Sequence, residues 1–160
     1  MKWISKRFSE LSTQELYALL KLRVDVFVVE QNCPYPELDG KDTLENVIHL
    51  LGYQDNELAA YLRVLGPGVS FDSVSLGRIL LAPIARGGTS GTELVEKGIQ
   101  LALNTDFGAR QDRITISAQS ALIPFYQRLG FHVISESYLE DDIPHTDMAF
   151  SCQDQKSQRE

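Results

Sequence analysis

The chain has 160 residues and a formal net charge of −7. That length is one domain's worth, long enough to bury roughly two-thirds of its unfolded surface around a single core without a metal or disulfide staple, and the acidic balance argues against nucleic acid as a partner while serving solubility or favouring an amine-bearing ligand. Two cysteines only, Cys33 and Cys152, no signal sequence ahead of Trp3 and no apolar run of membrane-spanning length point to a reduced, cytoplasmic setting with no membrane partner.

Trp3 to Phe8 reads as a short edge strand. Ser12 and Glu15 then form a capping box that opens a helix with Leu16, Leu19, Leu20 and Arg23 in register. That helix runs, with a break, through Val24 to Val29 and stops before Pro34 and Pro36. Tyr35 to Asn46 is polar, carries Glu37, Asp39, Asp42 and Glu45, and reads as a loop. Val47 to Tyr53, Glu57 to Leu65 and Ser73 to Leu81 follow as an antiparallel meander, with turns at Gln54-Asp55-Asn56 and Gly66-Pro67-Gly68.

A glycine-rich loop, Arg86-Gly87-Gly88-Thr89-Ser90-Gly91, hands over to a helix whose apolar residues Leu94, Val95, Gly98, Ile99, Ala102 and Leu103 recur at helical spacing. Its first turn points unsatisfied N–H groups at whatever occupies the loop, the glycines permit close approach of a ligand, and Arg86 can pair with phosphate. No Gly-Lys-Ser/Thr ends the loop, so it is not a P-loop, and its glycine spacing is not the dinucleotide fingerprint. On its own the loop is equally a tight turn with a helix start. Arg113 to Ala118 is the next strand, Ala121 to Leu129 a helix ended by Gly130, Phe131 to Tyr138 a strand, and Pro144 to Phe150 the last strand after an acidic turn at Glu140-Asp141-Asp142. Residues 1–150 are expected to form one domain and 151–160 a polar tail. The order of elements describes an α/β fold, a sheet of mixed direction with helices on both faces, and the glycine loop falls at a strand's carboxyl end where open sheets bind ligands.

This order, together with Arg86 to Gly91 and with Phe125-Tyr126-Gln127-Arg128-Leu129-Gly130-Phe131, resembles the GNAT superfamily of acyl-CoA-dependent N-acetyltransferases over about residues 3 to 150. Val26 to Tyr35, Gly77-Arg78, Ala118-Gln119 and Asp142-Ile143-Pro144-His145 resemble its ElaA-like branch. The resemblance implies a mostly antiparallel central sheet splayed at its middle, acetyl-CoA as co-substrate, no metal, and transfer of acetyl to a primary amine of a small molecule or peptide in a ternary complex. The coenzyme's pyrophosphate would lie on Arg86, Gly87, Gly88, Thr89, Ser90, Gly91 and Thr92. In the family motif a glycine usually stands where this chain has Thr89. Backbone donors at Ile79, Leu80 and Leu81 would meet the pantetheine and the oxyanion, and loss of one such donor typically costs about 10²- to 10³-fold in rate.

Tyr126 is the implied general acid, protonating or hydrogen-bonding the departing thiolate; it could equally be a core tyrosine with its hydroxyl at the surface. Gln119 would bond pantetheine amides or merely close its strand. An ammonium is less than about one part in a thousand neutral at pH 7, so a base is needed. His145, beyond the acidic turn, and Glu30, at the end of an apolar stretch, are the candidates, each with a plain alternative as a surface histidine and a helix terminator. His49, inside an apolar strand, reads as structural, and His132 has no functional argument beyond its type. Arg78 should pair with a carboxylate or line the site. Cys33 reads as a structural thiol, since no histidine stands beside it to make it a nucleophile. A homodimer is compatible with all of this, and two rivals to the enzyme remain: an acyl-CoA sensor of the same fold without turnover, and a domain for another phosphorylated ligand.

Overall fold

The computed structural model describes residues 1–152. Eight strands, β1 (Lys2–Arg7), β2 (Val47–Gln54), β3 (Glu57–Leu65), β4 (Val74–Leu81), β5 (Arg113–Gln119), β6 (Phe131–Val133), β7 (Tyr138–Glu140) and β8 (Ile143–Ser151), form one sheet in the order β1-β2-β3-β4-β5-β8-β6, with β7 also on β8. Every pairing is antiparallel except β4 with β5. Two-residue hairpins close β2 to β3 through Asp55-Asn56 and β7 to β8 through Asp141-Asp142, all four at positive φ, a conformation that Asn and Asp tolerate better than other side chains. The acidic turn thus has a geometric reason for its composition.

Both faces of the sheet are covered. Helix α1 (Thr13–Arg23) opens on the expected box, in which the Glu15 amide donates to Ser12 Oγ and the Ser12 amide to the Glu15 carboxylate. The chain then widens into a π-helix over Val24–Glu30, the physical form of the expected break, and leaves it through Asn32 at φ 50°. This segment buries Leu19 and Val26 against Leu51, Tyr61 and Leu80 on one face. Helix α2 (Ser90–Asn104) and helix α3 (Ile123–Arg128) bury Leu94, Val95, Ile99 and Tyr126 with Leu62, Leu76, Ile116 and Met148 on the other. Gly98 lets α2 lie close to the sheet, because a Cβ there would stand 2.7 Å from Leu62 Cδ1.

Three boundaries differ from expectation. The 121–129 helix is a 3-10 turn, Ser120–Leu122, followed by α3, whose first turn holds Pro124. The 131–138 strand breaks after Val133, where the Asp147 amide bonds Ser135 Oγ instead of a neighbouring backbone and the chain leaves the ladder until Tyr138. Ser151, placed in the tail by sequence, pairs with Arg113 as the end of β8, and the Cys152 amide donates to Asp112; the remainder of the expected tail lies outside the described residues. Among the described residues no helix is long and apolar enough to cross a membrane.

Candidate active site

Strands β4 and β5 pair only at Val74 with Ile114 and Ser75 with Thr115, and then part. The opening is a cleft of about 660 Å³ floored by Leu76 to Leu81 of β4 and bordered by Ile116, Ser117 and Gln119 of β5. A bulge in β4 shapes it. Tyr61 pairs with Leu80 and Arg63 with Gly77, so Arg78 and Ile79 together oppose Leu62, and Arg78 sits at φ 52°. The extra residue reverses the alternation of side chains: Leu76, Ile79 and Leu81 join the α2 face, whereas Leu80 joins the α1 face. The Ala82 amide donates across to Ala59, so by the two-residue alternation the Leu81 peptide groups turn toward the opening. A non-glycine residue at positive φ costs about 1–3 kcal/mol and persists only when its surroundings over-determine it.

At the end of β4 the loop comes back as expected and α2 begins. Thr89 is the N-cap residue but its side chain makes no capping bond, so the amides of the first turn have no side-chain acceptor. Gly87 stands at φ 88°, and a Cβ at Gly87 or Gly88 would meet nothing within 4 Å. The loop is therefore exposed and unpacked at its first two glycines, which leaves room for an anion against the start of α2. Arg86 is engaged differently from expectation. Its guanidinium grips the Glu30 carboxylate at 2.5 and 2.8 Å and the Leu81 carbonyl at 3.1 Å.

Glu30, the second candidate base, is thus already engaged. The Arg86 hydrogen bond holds the Glu30 carboxyl below its ordinary range, which weakens it as a proton acceptor, and Glu30 is half exposed and stands outside the cleft lining. Of the other expected residues, Ile79, Leu80, Leu81, Arg86, Gln119, Tyr126 and His145 line the cleft, whereas Gly87, Gly88, Thr89, Ser90, Gly91 and Thr92 stand beyond its lining. Tyr126 is only 5% exposed, edge-on to Phe125 and Phe131, and burial pushes its hydroxyl well above the usual range, so it keeps its proton. His145 Nδ1 lies 2.7 Å from the Ile143 carbonyl, which can only accept, so Nδ1 donates, and Nε2 stands 3.6 Å from the Glu140 carboxylate. Gln119 donates to Gln31 at 3.2 Å. Cys33 is buried, its thiol pushed up by burial and by Asp141 and Asp142, and it donates to the Asp141 carbonyl at 3.5 Å, a structural thiol.

Sequence reasoning missed the other end of the cleft. The 35–46 segment is the loop its composition predicts, and within it Glu37 and Asp42 are buried and hold three arginines from three elements. Arg23, fully buried, donates to Glu37 at 2.7 Å and to Asp42 at 2.6 Å; Arg63 donates to Asp42 at 3.0 Å and to Asp39; Arg78 donates to Glu37 at 2.9 Å and lies over the Tyr35 ring at 5.6 Å. Arg78 thus pairs with a carboxylate and also lines the cleft, and these contacts pin the bulge. Burial alone would raise the Asp39 and Asp42 carboxyls, but the arginine hydrogen bonds and charges outweigh it and hold both below the usual range. His49 completes the cluster as a structural group. Its Nε2 donates to the Asp42 carbonyl at 3.0 Å, its Nδ1 accepts from Tyr61 at 2.6 Å, and burial pushes it down. Arg23, Arg63 and Arg78 at interior positions of a helix and two strands were the available signal, because buried guanidinium groups demand carboxylates and 37–45 holds the nearest supply.

A family description of the acetyltransferase (GNAT) domain matches residues 25–152. The chain belongs to the GNAT acetyltransferase family. Protein ElaA of Escherichia coli K12 is 41% identical to it over 150 residues, which span 93% of this chain and 95% of ElaA. Among solved structures, an acyl-CoA N-acyltransferase from Pseudomonas aeruginosa superposes with a TM-score of 0.86 at 42% identity, covering 94% of this chain and 99% of that one. The crystal structure of Escherichia coli ElaA follows at 0.85 and 39%, with the same coverage. The mostly antiparallel eight-stranded sheet with its helices is thus a GNAT fold, and acyl transfer is the general chemistry of the family. Among the described residues no group of three or more His, Cys, Asp or Glu side chains is placed to hold a metal.

Proposed function

We propose that this GNAT chain is an acetyl-CoA-dependent N-acetyltransferase that moves the acetyl group to a primary amine, of a small molecule or of a peptide, by direct attack in a ternary complex. The observation that carries it is the cleft between β4 and β5, which opens at Leu81 and reaches Arg86, the first residue of the loop that leads to the uncapped start of α2. The residues present fit the coenzyme: Gly87 and Gly88 leave room where a Cβ would intrude, and the first-turn amides of α2 face an anion site. Acetyl-CoA supplies an activated thioester. Thr89 holds the N-cap without a glycine, and the room that the family motif gains there comes here from Gly87 and Gly88.

The chain's own groups then divide the work. The Leu81 amide, turned to the opening, offers a donor to the oxygen on which charge develops. Tyr126 keeps its proton, so it acts as a hydrogen-bond donor to the departing sulfur rather than as a strong acid. His145, whose Nδ1 donates to the Ile143 carbonyl, turns Nε2 to the side of Glu140 in the cleft lining and takes the proton of the incoming amine. Arg86 sits between Glu30 and the Leu81 carbonyl, where a pyrophosphate would compete with Glu30 for it. The two free thiols suit a reducing, cytoplasmic compartment.

The test is release of thiol from acetyl-CoA across a panel of primary amines, with the acetylated product weighed by mass spectrometry. The proposal expects release above hydrolysis for at least one amine class. Binding of acetyl-CoA with no amine raising thiol release would favour a non-catalytic acyl-CoA sensor instead.

A further inference from the structure

Two side chains in the cleft are buried and incompletely bonded. Arg63, 3% exposed, has its Nε–H without an acceptor, although both its terminal nitrogens are paired; Ser75, 1% exposed, has its hydroxyl without any partner. A buried polar group left unpaired costs about 1–3 kcal/mol, so two in one place call for a ligand or water that satisfies both.

They are in one place. Val74 and Leu76 face α2, so by alternation Ser75 and Gly77 face the opposite side of β4. Gly77 pairs with Arg63 across the ladder, and Ser75 pairs with Leu65 on the same face. A Cβ on Gly77 would stand 3.3 Å from Leu65 Cδ1 and 3.9 Å from Arg63 Nε, so the missing side chain leaves a small floor bounded by both. Phe71 and Leu65 wall it, and all of these residues line the cleft. From Gly77 the floor leads along β4 to Ile79 and Leu81, roughly 7–13 Å away at about 3.3 Å per residue.

We infer that Arg63 Nε, Ser75 Oγ and the gap over Gly77 form an acceptor subsite for a carbonyl or carboxylate oxygen carried by the amine substrate at a distance from its amino group. The inference rests on the acyl-transfer reading for the direction of the amine, and it narrows the acceptor from any primary amine to one with a remote carbonyl-type oxygen. Both groups can donate, and a guanidinium Nε–H can do nothing else, so the ligand atom is an acceptor. Around it three guanidinium groups face three carboxylates, Glu37, Asp39 and Asp42, and the Lys41 ammonium also lines the cleft. An ammonium group would meet an unpaired donor here, whereas a carbonyl oxygen or carboxylate completes both bonds. A peptide carbonyl and a free carboxylate share this chemistry.

The experiment reads binding and does not depend on turnover. Protein saturated with coenzyme A is titrated by NMR with 6-aminohexanoate, 6-aminohexanamide, 8-aminooctanoate, hexylamine and octylamine, for the natural chain, for Ser75→Ala and for Gly77→Ala. We expect at least one carbonyl-bearing probe to bind about 3- to 10-fold more tightly than the alkylamine of equal length, the worth of about one hydrogen bond. The advantage should vanish in Ser75→Ala and in Gly77→Ala, with coenzyme A kept saturating for each variant. The amide and the carboxylate separate a peptide source from a free acid. Equal affinities throughout, or an advantage that survives both substitutions, would overturn the subsite and leave the two groups to buried water. If thiol release fails with every amine but the binding difference stands, the catalytic reading falls and the subsite does not.

Discussion

Replacing Glu37 by Gln removes one charge and almost no volume from the place where the 35–46 segment grips the sheet. The Glu37 carboxylate serves the fully buried Arg23 at 2.7 Å, Arg78 at 2.9 Å and the Tyr35 hydroxyl. The backbone carbonyl of residue 37, which accepts from Arg23 at 3.2 Å and Arg78 at 3.0 Å, is untouched. Breaking a buried pair from one side costs about 3–5 kcal/mol because the other charge stays in the low-dielectric interior. The retained backbone contacts and the second carboxylate on Arg23, Asp42, put the loss toward the lower end, about 3 kcal/mol. For a chain of this size each kcal/mol moves the melting temperature by about 2–4 °C, so Glu37→Gln should melt about 6–12 °C lower in a calorimetric scan. Glu57→Gln, on an exposed strand end, is the control and should stay within about 0.5 kcal/mol. A Glu37→Gln melt within about 2 °C of the natural chain would refute the claim that this network holds the bulge and its segment together.

Gly88→Ala should leave the melting temperature unchanged, since its Cβ meets nothing within 4 Å, and should weaken acetyl-CoA binding in calorimetry by filling the cradle; unchanged affinity would move the pyrophosphate elsewhere. Tyr126→Phe should lower turnover about 10- to 100-fold, the worth of a hydrogen bond to a charged group, with little change in acetyl-CoA affinity, and an unchanged rate would remove Tyr126 from its role. Glu30→Gln should keep turnover within about fivefold, because Glu30 is an exposed partner of Arg86; a collapse in rate would restore it as the base. Burial lowers the His49 pKa, so below about pH 6.5 the unfolded chain takes up a proton that the folded one refuses, and stability falls as pH falls. Asp39 and Asp42, also lowered in the folded state, stabilise above their unfolded pKa and add a second loss below about pH 4. Urea unfolding at several pH values should show both steps, and His49→Gln should abolish only the first; stability flat from about pH 7.5 to 5 in the natural chain would contradict this.

What was legible from sequence was what local chemistry dictates. The Ser12 capping box, the Asp55-Asn56 hairpin and the helical spacing of Leu94, Val95, Gly98, Ile99 and Ala102 each fix an element within a few residues, and each is present. The loop at Arg86 to Gly91 was legible as a backbone feature, and its openness follows from Gly87 and Gly88, where a Cβ would meet nothing within 4 Å. What was illegible depends on partners distant in the chain. The bulge at Arg78 needs Glu37 and Tyr35, about forty residues away, and no local propensity places a non-glycine residue at φ 52°. Arg86 meets Glu30 across 56 positions, so a residue expected to serve phosphate and one expected to serve as base turn out to hold each other. The loop at 35–46 was legible but its burial was not, since a carboxylate facing interior arginines resembles a solvated one until the strands are assembled.

The central claim, that the cleft between β4 and β5 receives acetyl-CoA with its pyrophosphate on the start of α2, is tested most directly by a density map of the chain crystallised with acetyl-CoA. The account predicts the diphosphate on the amides of residues 87–92, the thioester between the parted strands with its oxygen facing the Leu81 amide, and the sulfur within hydrogen-bonding reach of the Tyr126 hydroxyl. Density for the coenzyme outside the parted strands, or a thioester remote from both Leu81 and Tyr126, would contradict it.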